Sequence, residues 1–493
     1  MRITQRTKRY SFLTLLILLV VIAFPIIHLL KTKWRETDNH RVLPSRHVDD
    51  ASALNLTSVD TIIAIPKDRS AIENQLRQIL HYANTKRLKI ALAGARHSMG
   101  GHTMYPDGIV INMLPYNHMQ LDTVNNILSI GSGALWTDAI HYLDRYGKSI
   151  AVMQAFSSFS VGGSLSVNGH GWQKNSPPLA SSVLSFTLMN AQGQVLHCSR
   201  DENTELFHHV LGGYGLFGII LDVKLKVVDN QSLKYHYVNL APENYTKYYK
   251  KYILDNPKVN LVFGRLRVSK KHFLAEATLN YFEQTEELPI QLSRQEKKIE
   301  ETKRLIFRGS VNSEYGKRLR WDLETSSAIP ARHITFTRNE IMDSQVSLIE
   351  NKDTTSTDLL HEYFIPERNF MNFIQDIKPI LLKSELDLLN ITIRAVNRDH
   401  DAYLNYARED VFGFVLLFNQ KKTALQEADM YSLTNLLVDA AIKNEGTYYL
   451  PYRLHIAKDK MRKAYPQADS FFRTKTKYDP SELFNNKFYR HYK

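Results

Sequence analysis

Three glycine-rich segments contain the residues of this 493-residue chain whose types and spacing best support chemistry. They read AGARHSMGGH at 93–102, FSSFSVGGSLSVNGHGW at 156–172 and GGYGLFGI at 212–219. Glycine and serine leave backbone N–H groups open to close approach by an anion, so three such loops in one domain can surround an extended, phosphate-bearing cofactor. The first loop also presents His97, whose imidazole can act as a nucleophile. Together the loops predict a cofactor site.

Several other kinds of site find little support in the sequence. The G-x-G-x-x-G fingerprint is absent after the first predicted strand, and the P-loop pattern G-x-x-x-x-G-K-[ST] is absent. His97, His102 and His170 lie in the loops without H-E-x-x-H or acidic ligand spacing, so we expect no metal. The single cysteine, Cys198, excludes an intramolecular disulfide and a multi-cysteine metal site. The net charge of +13 is spread among acidic residues and accompanies no nucleic-acid-binding motif, so we expect no nucleic-acid partner.

Short strands and helices must position the loops, which predicts an α+β domain. A Ser70-x-x-Glu73 capping box predicts a helix to about Ala83, and the strand Lys89–Ala93 then leads directly into the first loop. The other predicted elements of this domain are the strands Val59–Ile65, Ile109–Asn112, Ile127–Gly131, Ile150–Met153, Val183–Asn190, Val195–Cys198 and Ile219–Val228 and the helix Trp136–Arg145.

Changes in composition divide the chain into five predicted regions. A membrane anchor occupies 1–35, a polar linker 36–55 and the cofactor domain 56–230. From about 235 glycine is scarce, and strands such as Lys258–Val268 and Leu389–Ala395 alternate with charged helices, which predicts a second domain with a helix-covered sheet at 231–445. The segment 446–493 is rich in Tyr, Phe, Lys and Arg and is expected to return and complete a site between the domains.

The N-terminal region contains a 19-residue apolar run, Phe12–Leu30, broken only by Thr14, Pro25 and His28. This is close to the roughly 20 residues that a helix needs to cross a bilayer. The run is long for a signal peptide and has no A-x-A-like site after it, so we favour a retained anchor over a cleaved signal. Four basic residues precede it and three follow, which favours a cytoplasmic N-terminus and an extracytoplasmic catalytic body.

The order of the motifs resembles that of a known family. GARHSMGG after a strand, SVGGSLSVNGHG, GGYGLFGII and a final KYDPSELFNNKF are similar to the vanillyl-alcohol oxidase flavoproteins with a PCMH-type FAD-binding domain. The branch they resemble contains alditol oxidase, the aldonolactone oxidases and decaprenylphosphoryl-ribose oxidase. The similarity covers about residues 56–230 and 446–493. Between them it is loose, through HEYFIP at 361–366 and TIRAVNRDHDAYL at 392–404. The resemblance implies a two-domain α+β fold with a separate substrate (cap) domain.

The resemblance implies that the loops bind FAD and that His97, within the Arg-His-Ser triplet, forms a covalent bond to the flavin 8α-methyl carbon. A histidine that merely hydrogen-bonds the flavin remains the alternative. Gly169, just before His170-Gly171, occupies the position that controls access of O₂ in the aldonolactone branch, although a tight turn would also demand glycine there. The residues it implies for FAD binding are Ala93, Gly94, Ala95, Arg96, His97, Ser98, Met99, Ser160, Gly162, Gly163, Ser164, Gly169, Gly171, Gly218 and Ile219.

The C-terminal run YYLPYRLHIAKDK, residues 448–460, resembles the active-site segment of decaprenylphosphoryl-ribose oxidase through Ala457-Lys458-Asp459. Lys458 is therefore expected to polarise or deprotonate the substrate hydroxyl, unless it is a surface lysine, and Arg453 to bind a neighbouring oxygen. The other catalytic candidates are Tyr452, Glu362, Tyr363 and Arg394.

The predicted function is membrane-anchored, FAD-dependent oxidation of an alcohol group in a carbohydrate, polyol or aldonolactone, with hydride transfer to flavin N5 and reoxidation by O₂. Two alternatives stay open. One is an enzyme that acts on a lipid-linked sugar and passes electrons to a membrane acceptor such as a quinone. The other is a flavin-binding protein without turnover.

Overall fold

The structure is a computed structural model that describes residues 10, 23–36, 42–287, 296–331 and 334–493. No helix among these residues is long and apolar enough to cross a bilayer. Residues 11–22, which form most of the predicted span Phe12–Leu30, lie outside the described residues, so the membrane anchor stays a prediction. The structure is a mixed α/β fold.

The first glycine-rich loop follows a small parallel sheet. Its three strands, in the order β3-β5-β4, pair in parallel, and β1 pairs with β2 in a separate two-stranded sheet. The apolar run Ile90–Ala93 is buried between the helix Arg69–Lys86 and the rest of the domain, so the loop leaves a fixed edge. The strands are β1 His47–Val48, β2 Thr57–Ser58, β3 Thr61–Ala64, β4 Ile90–Ala93 and β5 Ile109–Asn112.

A second, six-stranded antiparallel sheet carries the other two loops. Its order is β10-β9-β11-β7-β6, with β8 paired to the far end of β11. The strands are β6 Met119–Asp122, β7 Ile127–Gly131, β8 Lys148–Ile150, β9 Val183–Met189, β10 Val195–Ser199 and β11 Ile219–Asp229. The helices here are Trp136–Asp144, Val161–Val167 and Thr204–Val210, with a 3₁₀ turn at Leu179–Ser182.

An eight-stranded antiparallel sheet, which we call the cap sheet, follows in the order β15-β12-β14-β13-β17-β18-β16-β19. Its strands are β12 Ser232–Leu240, β13 Val259–Leu266, β14 Ala277–Gln284, β15 Thr335–Thr337, β16 Ser356–Pro366, β17 Asp387–Val396, β18 Val411–Lys421 and β19 Thr447–Tyr448. Its main helices are Tyr245–Tyr249, Glu296–Arg308, Glu314–Ala331, Arg338–Met342, Phe370–Lys383 and Ala424–Lys443, with 3₁₀ turns at Pro242–Asn244, Val346–Ile349 and Glu367–Asn369 and a π-helical turn at Lys250–Leu254.

The C-terminal segment returns to the first sheet. The Ile90 N–H donates to the Leu483 carbonyl at 2.7 Å, and the Asn485 N–H donates to the Ile90 carbonyl at 2.9 Å, which adds residues 483–485 beside β4. The Met99 N–H donates to the Pro451 carbonyl at 2.8 Å, so this segment also holds the first loop. Its helices are Lys458–Ala464, Ala468–Tyr478 and Lys487–Tyr492.

The described N-terminal residues contact the cap region. Residues 23–35 are helical, and the His28 ring nitrogen lies 2.8 Å from the Gly309 carbonyl oxygen. Glu36 forms two charge-assisted hydrogen bonds with Arg304, which is buried on the helix Glu296–Arg308. The C-terminal part of the predicted span Phe12–Leu30, through His28, and the chain that follows it, through Glu36, therefore contact the cap region.

Two local predictions were wrong. The helix at 69–86 is capped by Asp68, whose carboxylate accepts the Ala71 N–H at 2.9 Å, while the Glu73 carboxylate binds Arg69. An aspartate two residues earlier competes successfully with Ser70 because it is an equally good N-cap residue. Within the second glycine-rich loop, Val161–Val167 is a helix, since the burial of Val161 and Leu165 favours helix despite two glycines.

Candidate active site

The three glycine-rich loops line one side of a single cavity whose other side is a face of the cap sheet. The loops meet closely, because the Ala95 N–H donates to Ser160 Oγ at 3.3 Å. A Cβ on Gly94 would lie 2.0 Å from the same Ser160 Oγ, and one on Gly162 would lie 2.8 Å from Ser132 Cβ. Glycine is therefore required at positions 94 and 162, where the loops pack closely on their neighbours, and the backbone of the loops is exposed to the cavity there.

Polar atoms on the loop side are left for a ligand to bind. Arg96 Nε, Ser98 Oγ, Thr103 Oγ1 and Ser132 Oγ are buried and have no hydrogen-bond partner within the described residues. All four residues line the cavity. Buried polar groups are normally hydrogen-bonded, so this set fits a polar, oxygen-rich and anionic group such as a pyrophosphate. Arg96 is held in the left-handed region, with φ 56°, by the turn that precedes His97.

His97 lies in the cavity wall with its ring edge-on to Phe159, at 4.0 Å between ring centroids. Burial lowers the pKa of His97 to about 4, against a weaker opposing effect from a Ser158 backbone hydrogen bond. The imidazole is therefore neutral at physiological pH, which is the form in which a ring nitrogen can act as a nucleophile.

Most of the residues predicted to bind the cofactor line the cavity. These are Ala93, Gly94, Ala95, Arg96, His97, Ser98, Ser160, Gly162, Gly163, Ser164, Gly169, Gly218 and Ile219. Met99 is instead packed in the core, with its sulfur 3.4 Å from the Leu360 nitrogen. Gly171 packs on the backbone, where a Cβ would lie 2.0 Å from the Met153 carbonyl oxygen. Further residues line the cavity and were not predicted to bind the cofactor, among them His102, Ser132, Gln154, His170 and Tyr214.

The cap-sheet side presents a row of side chains across four strands. The register places Arg265 of β13 opposite Thr392 of β17, Thr392 opposite Val415 of β18, and Val415 opposite Glu362 of β16. Residues that are paired across antiparallel strands point to the same face. Arg394, two residues beyond Thr392, therefore shares this face, and all five line the cavity.

Glu362 is the centre of a buried polar cluster. His170 Nε2 lies 2.6 Å from Glu362 Oε1, and the Tyr452 hydroxyl donates to Glu362 Oε2 at 3.1 Å. Burial alone raises the pKa of Glu362, but His170, Arg394 and the Tyr452 hydroxyl outweigh it, and the pKa lies below its ordinary value. Glu362 is therefore a carboxylate at neutral pH, and it is 2% exposed.

The loop containing His170 is held by the cap and the C-terminal segment. The Tyr449 hydroxyl donates to the Val167 carbonyl at 2.8 Å, and the Tyr406 hydroxyl donates to the Asn168 carbonyl at 2.7 Å. Arg394 Nη1 donates to the His170 carbonyl at 3.3 Å. These bonds fix the second glycine-rich loop against the sheet face that carries Glu362.

The structure brings three of the six predicted catalytic residues together, Glu362, Arg394 and Tyr452. Tyr363 lies on the opposite face of β16, where its hydroxyl is 3.2 Å from His361 Nδ1, because successive strand residues alternate between faces. Arg453 forms an ion pair with Glu427 on the outer side of the sheet. Lys458 is exposed as the first residue of the helix Lys458–Ala464.

Comparison with known proteins identifies the cofactor. Residues 62–199 match the family model of the FAD binding domain, which includes the first two glycine-rich loops. The cofactor of this site is FAD. The close packing of the loops and the unpartnered polar atoms described above fit its pyrophosphate.

Several relatives match part of the chain. Cytokinin dehydrogenase 2 of Arabidopsis thaliana is 29% identical over 178 residues, which are 36% of this chain and 35% of the relative. L-gulonolactone oxidase of Mus musculus is 31% identical over 155 residues, 31% of this chain and 35% of the relative. The chain thus matches about a third of the length of each. The FAD prediction is confirmed, and an FAD-dependent oxidoreductase is supported.

Proposed function

We propose that the protein is an FAD-dependent oxidoreductase that oxidises an alcohol group of a carbohydrate, polyol or aldonolactone. The observation that carries the proposal is Glu362, a buried carboxylate beside the cationic Arg394, on the wall that faces the FAD-binding loops. A base that takes the hydroxyl proton accelerates alcohol oxidation, and a neighbouring guanidinium can hydrogen-bond the substrate oxygen. The relatives named oxidase and dehydrogenase support the same class.

The side chains of the cap-sheet wall have distinct roles in this reaction. The bound flavin supplies the acceptor for the hydride that leaves the carbon. Glu362 accepts the hydroxyl proton, and Arg394 holds the substrate oxygen and favours its negative charge. Tyr452 and His170 fix the carboxylate and keep it ionised, since both approach it closely. His97 is proposed to bond covalently to the flavin 8α-methyl carbon, and Gly169 to admit O₂ for reoxidation.

The direct test is anaerobic reduction of the bound flavin by a panel of polyols, sugars and aldonolactones, followed at the visible absorption bands of the oxidised flavin. We expect bleaching by at least one compound of the panel. A yellow protein that no compound of this class reduces would instead be a flavin-binding protein without this turnover. A protein that takes up no flavin at all would contradict the cofactor assignment itself.

A second candidate substrate is a lipid-linked sugar. Part of the cavity wall is an apolar surface made by Phe307, Leu348, Ile349, Leu360 and Leu417. Such a surface suits an alkyl or prenyl group better than a free polyol. Faster flavin reduction by an alkyl glycoside than by its parent sugar would favour this candidate.

We also propose that Phe12–Leu30 anchors the protein in a membrane, with the catalytic body on the extracytoplasmic side. The support is the length and apolarity of the run and the distribution of flanking charge. The protein is then expected to pellet with membranes after carbonate washing and to be accessible to protease added outside intact cells. Release of a shortened, soluble form would indicate a cleaved signal peptide.

A further inference from the structure

The cavity wall beyond Glu362 has buried hydrogen-bond donors that the protein itself does not use. Trp172 Nε1 and Arg394 Nε are buried and have no partner among the residues that the structure describes. Both side chains line the cavity. A buried donor left without a partner is destabilising, so these donors favour a ligand that brings acceptors.

Two acceptors on the same wall are already engaged. Asn390 Oδ1 accepts from Arg265 Nη1 at 2.7 Å, and Thr392 Oγ1 accepts from Asn390 Nδ2 at 2.9 Å. Glu362 Oε2 accepts from the Tyr452 hydroxyl, and the carboxylate keeps acceptor capacity for the substrate hydroxyl. The Thr392 hydroxyl keeps its own proton to donate, so it adds to the excess of donors. Hydroxyl groups can also accept from these donors, but each brings a donor of its own, whereas a carboxylate or phosphate brings acceptors alone and carries the charge that a guanidinium pairs with.

Arg265 and Trp172 both lie near one aromatic ring, that of Phe263. The Trp172 and Phe263 rings stack with centroids 4.7 Å apart, and the Arg265 guanidinium carbon is 5.9 Å from the Phe263 centroid. The wall at this point combines a flat apolar surface, an indole N–H and a guanidinium. This combination binds the face of a sugar ring together with an oxyanion.

Two guanidinium groups, Arg265 and Arg394, and one carboxylate, Glu362, line the cavity from the cap sheet. Glu324 Oε2 lies 3.8 Å from Arg265 Nε, and Glu324 Oε1 lies 3.7 Å from Arg320 Nε, so one carboxylate faces two guanidinium groups at loose distances. Arg265 is 29% exposed in its side chain, which leaves it accessible from the cavity.

We propose that the substrate carries a carboxylate or a phosphate, and that Arg265 and Trp172 bind this anion while Glu362 receives the hydroxyl proton. The inference rests on the proposed function and narrows its substrate class to anionic sugars. Arg265 and Glu362 stand three strands apart in one row, a backbone separation of about 14 Å, so a substrate that contacts both must extend along the row.

The test compares matched substrates with wild-type holoenzyme and variants. Glucose, gluconate and glucose 6-phosphate share one carbon skeleton, and the two anions distinguish a carboxylate from a phosphate. We expect kcat/KM for the better anion to exceed that for glucose by at least 10-fold. Arg265→Gln is expected to lower this ratio about 10-fold, mainly through KM, whereas Arg265→Lys keeps most of it. Trp172→Phe, which retains the ring but lacks the N–H, is expected to lower it about 3-fold.

The control is Arg398→Gln, which removes one positive charge from an exposed position outside the cavity. Flavin content and Tm of each variant show whether it is folded. A ratio near 1 in the wild type, or an unchanged ratio in Arg265→Gln with a normal Tm, overturns the anion site and leaves the alcohol oxidation standing. No flavin reduction by any sugar of either panel contradicts the proposed function itself.

Discussion

At the scale of single residues, the site separates His97, the proposed nucleophile on the loop side, from Glu362, the proposed proton acceptor on the cap side. His97 and Glu362 both have a pKa below the ordinary value, and the causes differ. Burial lowers the pKa of His97 because it disfavours the cation. The pKa of Glu362 is lowered in spite of burial, because His170 and Arg394 favour the carboxylate. Both groups are therefore in their reactive protonation states at neutral pH.

The first prediction concerns the link between His97 and the flavin. In wild-type protein the yellow colour is expected to stay with the acid-precipitated chain, because a neutral imidazole beside the flavin can form the covalent bond. His97→Ala is expected to release the flavin into the supernatant. The surface variant His81→Ala is the control and should keep the colour. Release of flavin by the wild type would show that His97 contacts the flavin only non-covalently.

The second prediction concerns the base. Glu362→Gln is expected to slow flavin reduction by substrate about 100-fold or more at unchanged flavin content, because it removes the proton acceptor. Tyr452→Phe is expected to have a smaller effect, since it removes one hydrogen bond to that carboxylate. Stopped-flow absorbance under anaerobic conditions measures both rates. Rates within threefold of wild type for Glu362→Gln would exclude it as the base.

The same experiment distinguishes two expectations for Lys458, one from the sequence pattern and one from its position in the structure. The pattern predicts that Lys458→Ala costs about 100-fold, as for a general acid–base group. Its exposed position at the start of the helix Lys458–Ala464 predicts near-normal reduction. We expect the second result, which also makes Lys458→Ala the matched control for Glu362→Gln.

At the scale of elements, the strands were easier to predict than the side chains they present. The strands Ile109–Asn112 and Ile127–Gly131 have the predicted bounds. Both are short apolar runs between turns, and this pattern is typical of strands. The row from Arg265 to Glu362 was not predictable, since it depends on the register between four strands of distant sequence. The sequence shows that His170 is a histidine in a glycine-rich loop. It does not show that Glu362 lies beside it.

The third prediction concerns the loop turn at Gly169. A Cβ there would lie 3.4 Å from Gln154 Oε1 and 3.5 Å from Gln154 Cβ, which is ordinary contact, so Gly169→Ala should fold. The added methyl group lies in the cavity wall and is expected to slow reoxidation by O₂ more than reduction by substrate. Stopped-flow reoxidation in air measures the first and anaerobic reduction the second. If wild-type flavin reoxidises in minutes with O₂ but in seconds with a quinone, the protein is a dehydrogenase.

At the scale of the whole molecule, the C-terminal segment joins the FAD-binding loops to the cap. It lies beside β4 through residues 483–485, holds the first loop through Pro451 and contributes Tyr452 to the cavity. Arg453 and His455 in the same segment bind Glu427 of the cap helix Ala424–Lys443. The side chains of Tyr452 and Arg453 point in opposite directions. Tyr452 therefore reaches the cavity, and Arg453 binds the segment to the cap.

The last prediction tests this connection through the pH dependence of stability. Burial by itself raises the pKa of Glu427, but His455 and Arg453 outweigh it and lower the pKa to about 2, from 4.5. Because the pKa is lower in the folded state, the stabilisation is complete above pH 4.5 and is lost as the pH falls towards 2. The Tm difference between wild type and Glu427→Gln should therefore be constant from pH 7 to 5 and shrink below pH 4.5.

Glu202→Gln removes a carboxylate from the exposed pair with His197 and should change Tm little at any of these pH values. A Tm difference for Glu427→Gln that does not depend on pH would show that the ion pair does not hold the C-terminal segment to the cap.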